Sequence, residues 1–285
     1  MKLISYRLDG KESWGAVVAG QVLDLATVTG LPSLADFLAS PAYDRRDSLV
    51  QGLTPVAAVD GVEFLPLIPR AEKIICAVRN YMDHHNEAVG AGLKAELSEY
   101  PPIFLRVWRS LTAHEGPILR PQVSASLDWE GELAVVIGRG GRDIPEARAY
   151  EHVAGYSCFN DGSIREWQFH AKQIAAGKNF ESTGGLGPWL VTSDEIGPEP
   201  QLDLTVRLNG EVMQRGNTRD MIFGIPRLIH YASTIFTLSP GDVIATGTPA
   251  GVGFSRKPPR FMKAGDICEV EIESIGTLRN RVVDA

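Results

Sequence analysis

Short apolar runs separated by Gly and Pro alternate along most of the chain after residue 73. Such runs, bounded by turn-forming residues, are typical of strands. They predict strands at 73–78, 102–107, 131–138, 187–192, 202–208, 242–246 and 267–273. With 29 Gly and 18 Pro in the chain, the pattern favours a mostly β architecture. Helical patterns are clearest over about 81–90 and 220–235.

The first part of the chain has a different texture, which predicts a small α+β module. Residues 2–8 and 14–24 are predicted strands, with a turn at 9–12. Ser33 is placed to cap the N-terminus of a short helix. Pro66 and Pro69 then mark a linker. We therefore predict a small N-terminal α+β domain over 1–68 and a larger, mostly β domain over 69–285.

Composition excludes some function classes. The 285 residues carry a formal net charge of −7 and no basic cluster, which argues against nucleic acid or an anionic membrane as the main partner. No apolar run approaches the roughly 20 residues that span a bilayer, and the N-terminus lacks a signal-peptide pattern. Three widely separated cysteines predict buried thiols rather than disulfides, which suits a cytoplasmic protein.

Three carboxylates are the strongest chemical signal. Glu130 and Glu132 lie two apart in a strand-like stretch, so both point to one face. Asp161 ends another apolar run and can add a third oxygen ligand. Buried carboxylates repel each other unless a cation lies between them, and an all-oxygen set favours Mg²⁺ before Mn²⁺ or Ca²⁺. The alternative is a polar strand face, with Asp161 capping a helix over 162–168.

A second signal is His84, three residues before Glu87. On a helix the two share a face, and a carboxylate bonded to one imidazole nitrogen raises the basicity of the other. His85 points about 100° away. The alternative is a solvated helical turn with an incidental ion pair.

Further candidates are weaker taken singly. Arg165 and Gln168 follow Asp161 by four and seven residues, so one helical face can carry all three. Lys178 has glycine-flanked surroundings, although a lone lysine is usually a surface residue. The Gly-rich stretch 246–253, which includes Thr248, is either a plain turn or a loop whose N–H and hydroxyl groups bind a carboxylate.

Taken together, these motifs follow one another along the chain in a characteristic order. They lie at 73–76, 79–87, 128–138, 155–161, 177–180, 186–189, 208–211, 220–223 and 241–249. In this combination the chain resembles the fumarylacetoacetate hydrolase family over about 73–285. The resemblance implies a mixed β-sandwich or roll core, a homodimer, and a divalent metal at the mouth of the roll.

The resemblance also implies roles. Glu130, Glu132 and Asp161 become the metal ligands, and His84 with Glu87 becomes the base pair. Lys178 stabilises developing negative charge, and in the mechanism that we predict Gln168 assists it. The predicted substrate-binding residues are Arg79, Tyr81, Arg106, Arg165, Gln168 and Thr248. Many family members carry lysine where this chain has Arg106, and aspartate where it has Glu181, so both positions are expected to affect the substrate pocket or its support.

Three functions follow from this set. The first is Mg²⁺-dependent hydrolysis of a carbon–carbon bond in a 2,4-dioxo acid, such as an acylpyruvate or fumarylpyruvate of aromatic catabolism, to pyruvate and a carboxylic acid. The second uses the same metal and enolate for decarboxylation of a 2-oxo acid such as oxaloacetate, or for keto–enol or dienedioate isomerisation. The third is a non-catalytic binder of small oxo acids. Residues 85–100, with Gly90 and Gly92 as hinges, are predicted to form a lid over bound substrate.

Overall fold

The structure is a computed structural model that describes residues 1–92 and 96–285. Its strands in the described part are β1 (Lys2–Leu8), β2 (Lys11–Val18), β3 (Gln21–Asp24), β4 (Ala57–Ala58), β5 (Glu63–Phe64), β6 (Ile74–Ala77), β7 (Ile103–Arg106), β8 (Leu111–Thr112), β9 (Ile118–Arg120), β10 (Leu127–Asp128), β11 (Gly131–Ile137), β12 (Val153–Asn160), β13 (Ser163–Ile164), β14 (Gly184–Thr192), β15 (Asp203–Leu208), β16 (Glu211–Asn217), β17 (Val243–Ala245), β18 (Ile267–Ile272) and β19 (Gly276–Asp284). This count confirms the mostly β, mixed-sheet prediction.

Helices are fewer and mostly short. The α-helices are α1 (Ala26–Thr29), α2 (Leu34–Ala39), α3 (Arg46–Leu49), α4 (Met82–Gly90), α5 (Arg165–Gln168), α6 (Ser193–Ile196) and α7 (Ile225–Ile235). Turns of 3₁₀-helix lie at Tyr43–Arg45, Val59–Gly61, Trp108–Ser110, Glu146–His152, Ile174–Lys178 and Thr218–Asp220. Among these described helices, none is long and apolar enough to cross a membrane.

Two sheets pack face to face. The larger has the strand order β4-β3-β2-β1-β14-β12-β11-β17-β6-β7, with β5 beside β1 and β8 beside β14. The smaller has the order β16-β15-β18-β19-β9, and a separate ribbon joins β10 to β13. Leu133 and Val135 of β11 share one buried cluster with Val206 of β15 and Val270 of β18. This cluster fills the space between the sheets.

Two predicted elements are wrong at their boundaries. The strand expected at 14–24 is two strands, because Ala19 and Gly20 form a turn with φ of 49° and 76° between β2 and β3. Such paired left-handed residues match the twist of a hairpin. The helix expected at 220–235 begins only at Ile225, with a proline in its first turn, where the missing N–H costs nothing.

The N-terminal strands continue the main sheet. β1 pairs antiparallel with β14 at Lys2 and Leu3. Trp14 and Phe37 belong to the same buried cluster as Val136 and Phe159 of the larger part. Residues 1–68 and 69–285 therefore share a sheet and a core cluster, and the predicted division into two domains stays a prediction.

Candidate metal centre and active site

The start of β11 presents two carboxylates to one side. Gly131 and Leu133 face the second sheet, and a Cβ added at Gly131 would lie 2.2 Å from Val206 Cγ2. Alternate positions point the opposite way, so Glu130 and Glu132 project from the other face. The close sheet contact thus requires glycine between the two glutamates.

Asp161 reaches the same place from the end of β12. β12 pairs with β11 through Gly131 and Asn160, and the Asp161 N–H donates to the Glu130 carbonyl at 2.8 Å. Ligand oxygens of Glu130, Glu132 and Asp161 all lie within 4.8 Å of one another, and all three side chains are buried. The structure therefore brings together the three predicted ligands. Asp161 does not cap a helix, because α5 begins four residues later, after Ile164.

Lys178 and Arg165 neutralise part of this negative charge. Lys178 Nζ lies 2.7 Å from Glu130 Oε2 and 2.6 Å from Asp161 Oδ2, and its side chain is 2% exposed. Arg165 Nη1 lies 2.7 Å from the other oxygen of Glu130. Burial opposes the ionisation of Glu130, but Lys178 and Arg165 outweigh it and hold its pKa below the usual range. Lys178 is therefore a buried bridge between carboxylates.

Arg106 lies behind Asp161. Its Nη1 donates to Asp161 Oδ1 at 2.5 Å, and its other N–H groups donate to Ser110 and Thr183. The guanidinium is fully buried and is absent from the cavity lining. Arg106 thus supports Asp161, a candidate metal ligand, whereas the predicted contact between Arg106 and substrate gains no support. Glu181 is exposed beside Arg109 and also lies outside the lining.

Glu132 is the ligand left without an ion pair among the described residues. Gly247 N–H donates to its Oε2 at 2.8 Å. Burial, together with the nearby Asp161 and Glu130, raises the pKa of Glu132 well above its usual range. A divalent cation between three carboxylate oxygens would remove this penalty, and hard oxygen donors suit Mg²⁺, Mn²⁺ or Ca²⁺. The donor set therefore fits a divalent metal.

The predicted base pair forms on α4. His84 Nδ1 lies 3.0 Å from Glu87 Oε2. Glu87 Oε1 accepts from Gly251 N–H at 2.9 Å and from the Ser255 hydroxyl at 2.5 Å. Burial raises the pKa of Glu87, but the bonds from His84, Ser255 and Gly251 outweigh it and leave the pKa lowered. Glu87 is thus an ionised acceptor that orients the imidazole.

The 246–253 loop uses its N–H groups within the protein. Besides Gly247 and Gly251, Ala250 N–H donates to Asp83 Oδ2 at 3.2 Å and Gly253 N–H to Asp128 Oδ1 at 2.7 Å. The Thr248 hydroxyl donates to the Gly131 carbonyl at 2.8 Å. The loop therefore connects α4 to β11 through hydrogen bonds. Because these donors are already used, they are not available to a substrate carboxylate.

One cavity of about 270 Å³ joins these groups. Of the predicted residues, it is lined by Arg79, His84, Glu87, Glu130, Glu132, Asp161, Arg165, Gln168, Lys178 and Thr248. Arg165 Nη1 also donates to Gln168 Oε1 at 2.9 Å, and Arg165 Nη2 is buried without a hydrogen-bond partner. Arg165 therefore has one buried guanidinium nitrogen that no described residue pairs with.

Tyr81 lies outside this lining. Its side chain is 1% exposed, and burial raises the pKa of its phenol, with Glu132 adding to the effect. Its hydroxyl has no hydrogen-bond partner in the described structure. The predicted contact between Tyr81 and substrate stays a prediction.

The predicted lid segment begins inside α4. Residues 85–90 are helical, and Tyr100 stacks on Tyr231 of α7 with ring centroids 6.1 Å apart. Residues 93–95 of the segment lie outside the described residues. Closure over substrate stays a prediction.

Sequence reasoning missed Asp128, which organises the site. Its Oδ2 accepts from Arg165 Nε at 2.8 Å and from Phe254 N–H at 2.9 Å, and it is fully buried. Burial raises its pKa, against the attraction of Arg165. A signal was present, because Asp128 continues the two-residue spacing of Glu130 and Glu132. The aromatic lining residues Phe104, Phe169 and Phe254 had no such signal.

Comparison with known families places the chain. A family model described as fumarylacetoacetate (FAA) hydrolase C-terminal matches residues 73–283, so the chain belongs to this family. The matched range includes the three candidate metal ligands, the pair His84 and Glu87, and the 246–253 loop.

Named relatives differ in their activities. Oxaloacetate tautomerase YisK of Bacillus subtilis is 43% identical over 218 residues, covering 75% of this chain and 71% of that protein. Human mitochondrial oxaloacetate tautomerase FAHD2A is 42% identical over 231 residues, covering 80% and 72%.

A solved relative carries a metal. The crystal structure of maleylpyruvate hydrolase from Sphingobium sp. SYK-6 in complex with manganese(II) and pyruvate is 26% identical, with a TM-score of 0.83 and full coverage of both chains. The family thus includes enzymes of both the hydrolase and the tautomerase type.

Proposed function

We propose that this protein is a divalent-metal-dependent tautomerase that interconverts the keto and enol forms of a 2-oxo acid of the oxaloacetate type. The observation that carries the proposal is one proton-transfer pair, His84 and Glu87, that lines the same cavity as the three carboxylates. Relatives of about 40% identity named oxaloacetate tautomerase support this choice among the family's reactions.

Tautomerisation needs one group that moves a proton. His84 Nδ1 faces Glu87, which leaves Nε2 as the nitrogen that exchanges a proton with substrate. The C3–H bond breaks, its electron pair forms the C2=C3 bond, and the C2 oxygen gains a proton. The reverse sequence restores the keto form, so no atom is gained or lost.

A metal held by Glu130, Glu132 and Asp161 would supply a Lewis acid for the carboxylate and 2-oxo oxygens of the substrate. The chain's own residues bind the rest of the substrate and orient the proton-transfer group. We expect Arg165 and Gln168, which both line the cavity, to bind the second carboxylate of a dicarboxylic acid. Glu87 keeps the His84 imidazole oriented.

Lys178 bears on the choice between hydrolysis and tautomerisation. Hydrolysis forms a tetrahedral oxyanion, and Lys178 was the residue predicted to stabilise it. Its ammonium group is already bonded to Glu130 and Asp161. A reaction without a tetrahedral oxyanion suits this arrangement better. The pair His84 and Glu87 still permits hydrolysis of an acylpyruvate, which is the second candidate, and a homodimer remains our expectation.

The test follows the ultraviolet absorbance of enol-oxaloacetate as it decays to the keto form, with Mg²⁺, Mn²⁺ or EDTA. A blank with metal and no protein corrects for the uncatalysed rate. Parallel assays measure pyruvate and carboxylic acid from acetylpyruvate, and pyruvate with CO₂ from oxaloacetate. Metal-dependent enol decay without either product supports the proposal. Equimolar pyruvate and acid from acetylpyruvate, with no acceleration of enol decay, would overturn it in favour of the hydrolase.

A further inference from the structure

The cavity wall is apolar over much of its extent. Besides the charged groups, the lining includes Phe104, Ile174, Val252, Phe254 and Phe169. A four-carbon dicarboxylic acid has no apolar part that could cover these side chains. The wall can therefore also accommodate a substrate with a larger, apolar substituent.

Two of the aromatic rings form a pair. Phe169 and Phe254 have ring centroids 5.4 Å apart in a tilted arrangement. Phe169 is 45% exposed, so it forms the solvent end of the wall. A large aromatic residue left this open beside a cavity is available to pack against a ligand ring.

The pair is fixed relative to the charged groups. Phe254 N–H and Arg165 Nε donate to the same oxygen of Asp128, at 2.9 and 2.8 Å. Phe169 follows directly after α5, which carries Arg165. The guanidinium of Arg165 lies 5.9 Å from the Phe254 ring centroid. A single buried carboxylate thus sets the position of the ring pair against that of Arg165, which in turn contacts Glu130.

We infer that the same site also tautomerises 2-oxo acids that carry an aryl or alkyl group on C3, with Phe169 and Phe254 as the residues that determine this specificity. The inference rests on the proposed function and extends it to a further substrate class. Phenylpyruvate serves as the probe, because it has the same 2-oxo carboxylate head, an acidic C3–H bond and a phenyl ring. The step is again transfer of one proton from C3 to the C2 oxygen, and no co-reactant is needed.

The experiment compares kcat/KM for the enol forms of phenylpyruvate and oxaloacetate in the full-length, metal-loaded protein. We expect Phe169→Ala to lower the ratio of phenylpyruvate to oxaloacetate activity by about tenfold, because the aromatic contact is made with the phenyl ring alone. Phe169→Leu, which keeps an apolar side chain, should recover part of the loss. The matched control is Phe64→Ala, whose ring contacts His114 outside the cavity, and it should leave the ratio unchanged.

A binding measurement separates recognition from turnover. Calorimetry with N-phenyloxamate and with oxalate compares a planar oxo-acid head with and without a phenyl ring. Phe254→Ala should lower the affinity for N-phenyloxamate by about tenfold more than the affinity for oxalate. Equal weakening of both ligands would overturn the assignment of the ring pair.

The outcomes distinguish the two proposals. Acceleration of oxaloacetate tautomerisation with none for phenylpyruvate would overturn this inference and leave the proposed function in place. Acceleration of neither enol would overturn the proposed function itself. Acceleration of both, with a ratio that falls in Phe169→Ala, supports the inference.

Discussion

At the scale of single residues, every oxygen of Glu130 and Asp161 has a cationic side chain beside it. Lys178 forms an ion pair with one oxygen of each carboxylate. Arg165 contacts the other oxygen of Glu130, and Arg106 contacts the other oxygen of Asp161. These contacts fix the orientation of both carboxylates before any ligand binds. Groups that orient metal ligands in this way typically contribute about 10–100-fold to metal affinity.

We therefore predict that Arg106→Met weakens Mn²⁺ binding by about 10–100-fold, because Asp161 loses its buried partner. Titration calorimetry measures the dissociation constant. Arg106→Lys keeps a cation beside Asp161 and should recover much of the affinity. Arg109→Met removes an arginine whose side chain is 64% exposed and serves as control. Unchanged Mn²⁺ affinity in Arg106→Met would show that Asp161 is oriented without Arg106.

His84 gives a second residue-scale prediction. Replacement by glutamine should lower kcat for enol-oxaloacetate by about 10²–10⁴-fold, because the proton-transfer group is lost. Mn²⁺ affinity should be unchanged, since the candidate metal ligands are Glu130, Glu132 and Asp161. His85→Gln removes the neighbouring imidazole, which does not line the cavity, and should keep most of the activity. Full turnover by His84→Gln would remove His84 from the mechanism.

At the scale of elements, the segment Ile174–Lys178 is tied to the edge strand β7 by one amide. Asn179 Nδ2 donates to the carbonyl groups of Leu105 and Ala175, and its Oδ1 accepts from Val107 N–H at 2.7 Å. The side chain thus pairs with β7 on both sides of Arg106. It fixes the distance between Arg106 and Lys178, the two cations that contact Asp161.

Asn179→Ala is accordingly expected to reduce kcat/KM by about tenfold, because a small displacement of catalytic groups is costly. Stability should fall by about 2–4 kcal/mol, because three hydrogen bonds of about 0.5–1.5 kcal/mol each are lost. Hydrogen exchange of the 174–178 amides should become faster. The control is Asn209→Gly, which removes two comparable bonds to Asp266 and Ile267 away from the cavity and suits a φ of 53°. An equal loss of activity in this control would mean that stability alone is responsible.

The 246–253 loop is the second element that decides the geometry. Its N–H groups meet carboxylates from α4, from β11 and from Asp128. A sequence pattern of Gly and Thr predicts a tight loop that donates hydrogen bonds. The pattern does not say which acceptors the donors reach, and the acceptors lie more than 100 residues away in the chain.

At the scale of the whole molecule, the N-terminal strands stabilise the part that carries the site. Trp14 is 1% exposed and stacks on Phe37 with ring centroids 4.6 Å apart, and its cluster extends to Val136 and Phe159 of the central strands. A core shared in this way favours a single cooperative unfolding transition.

Trp14→Ala is predicted to destabilise the protein by about 3–5 kcal/mol. In urea, tryptophan fluorescence and enzyme activity should be lost at the same midpoint, in both the original protein and the variant. Trp108→Ala, at a side chain that is 36% exposed, should change the midpoint little. Two separate transitions, with activity surviving the first, would instead support independent domains over 1–68 and 69–285.

The sequence by itself determined several strands, the helix over 81–90 and the face shared by Glu130 and Glu132, because these follow from local periodicity. It did not predict β16 or β19. The motifs also determined the family. Only the tertiary structure decided that Arg106 contacts Asp161, that Lys178 bridges two carboxylates, and that Phe169 contacts Phe254. The residues in these contacts are between 17 and 85 positions apart in the chain. The pairing of β11 with β12 also brings Asp161 beside Glu130. Local periodicity carries no information about such pairings, because they are set by how the two sheets pack.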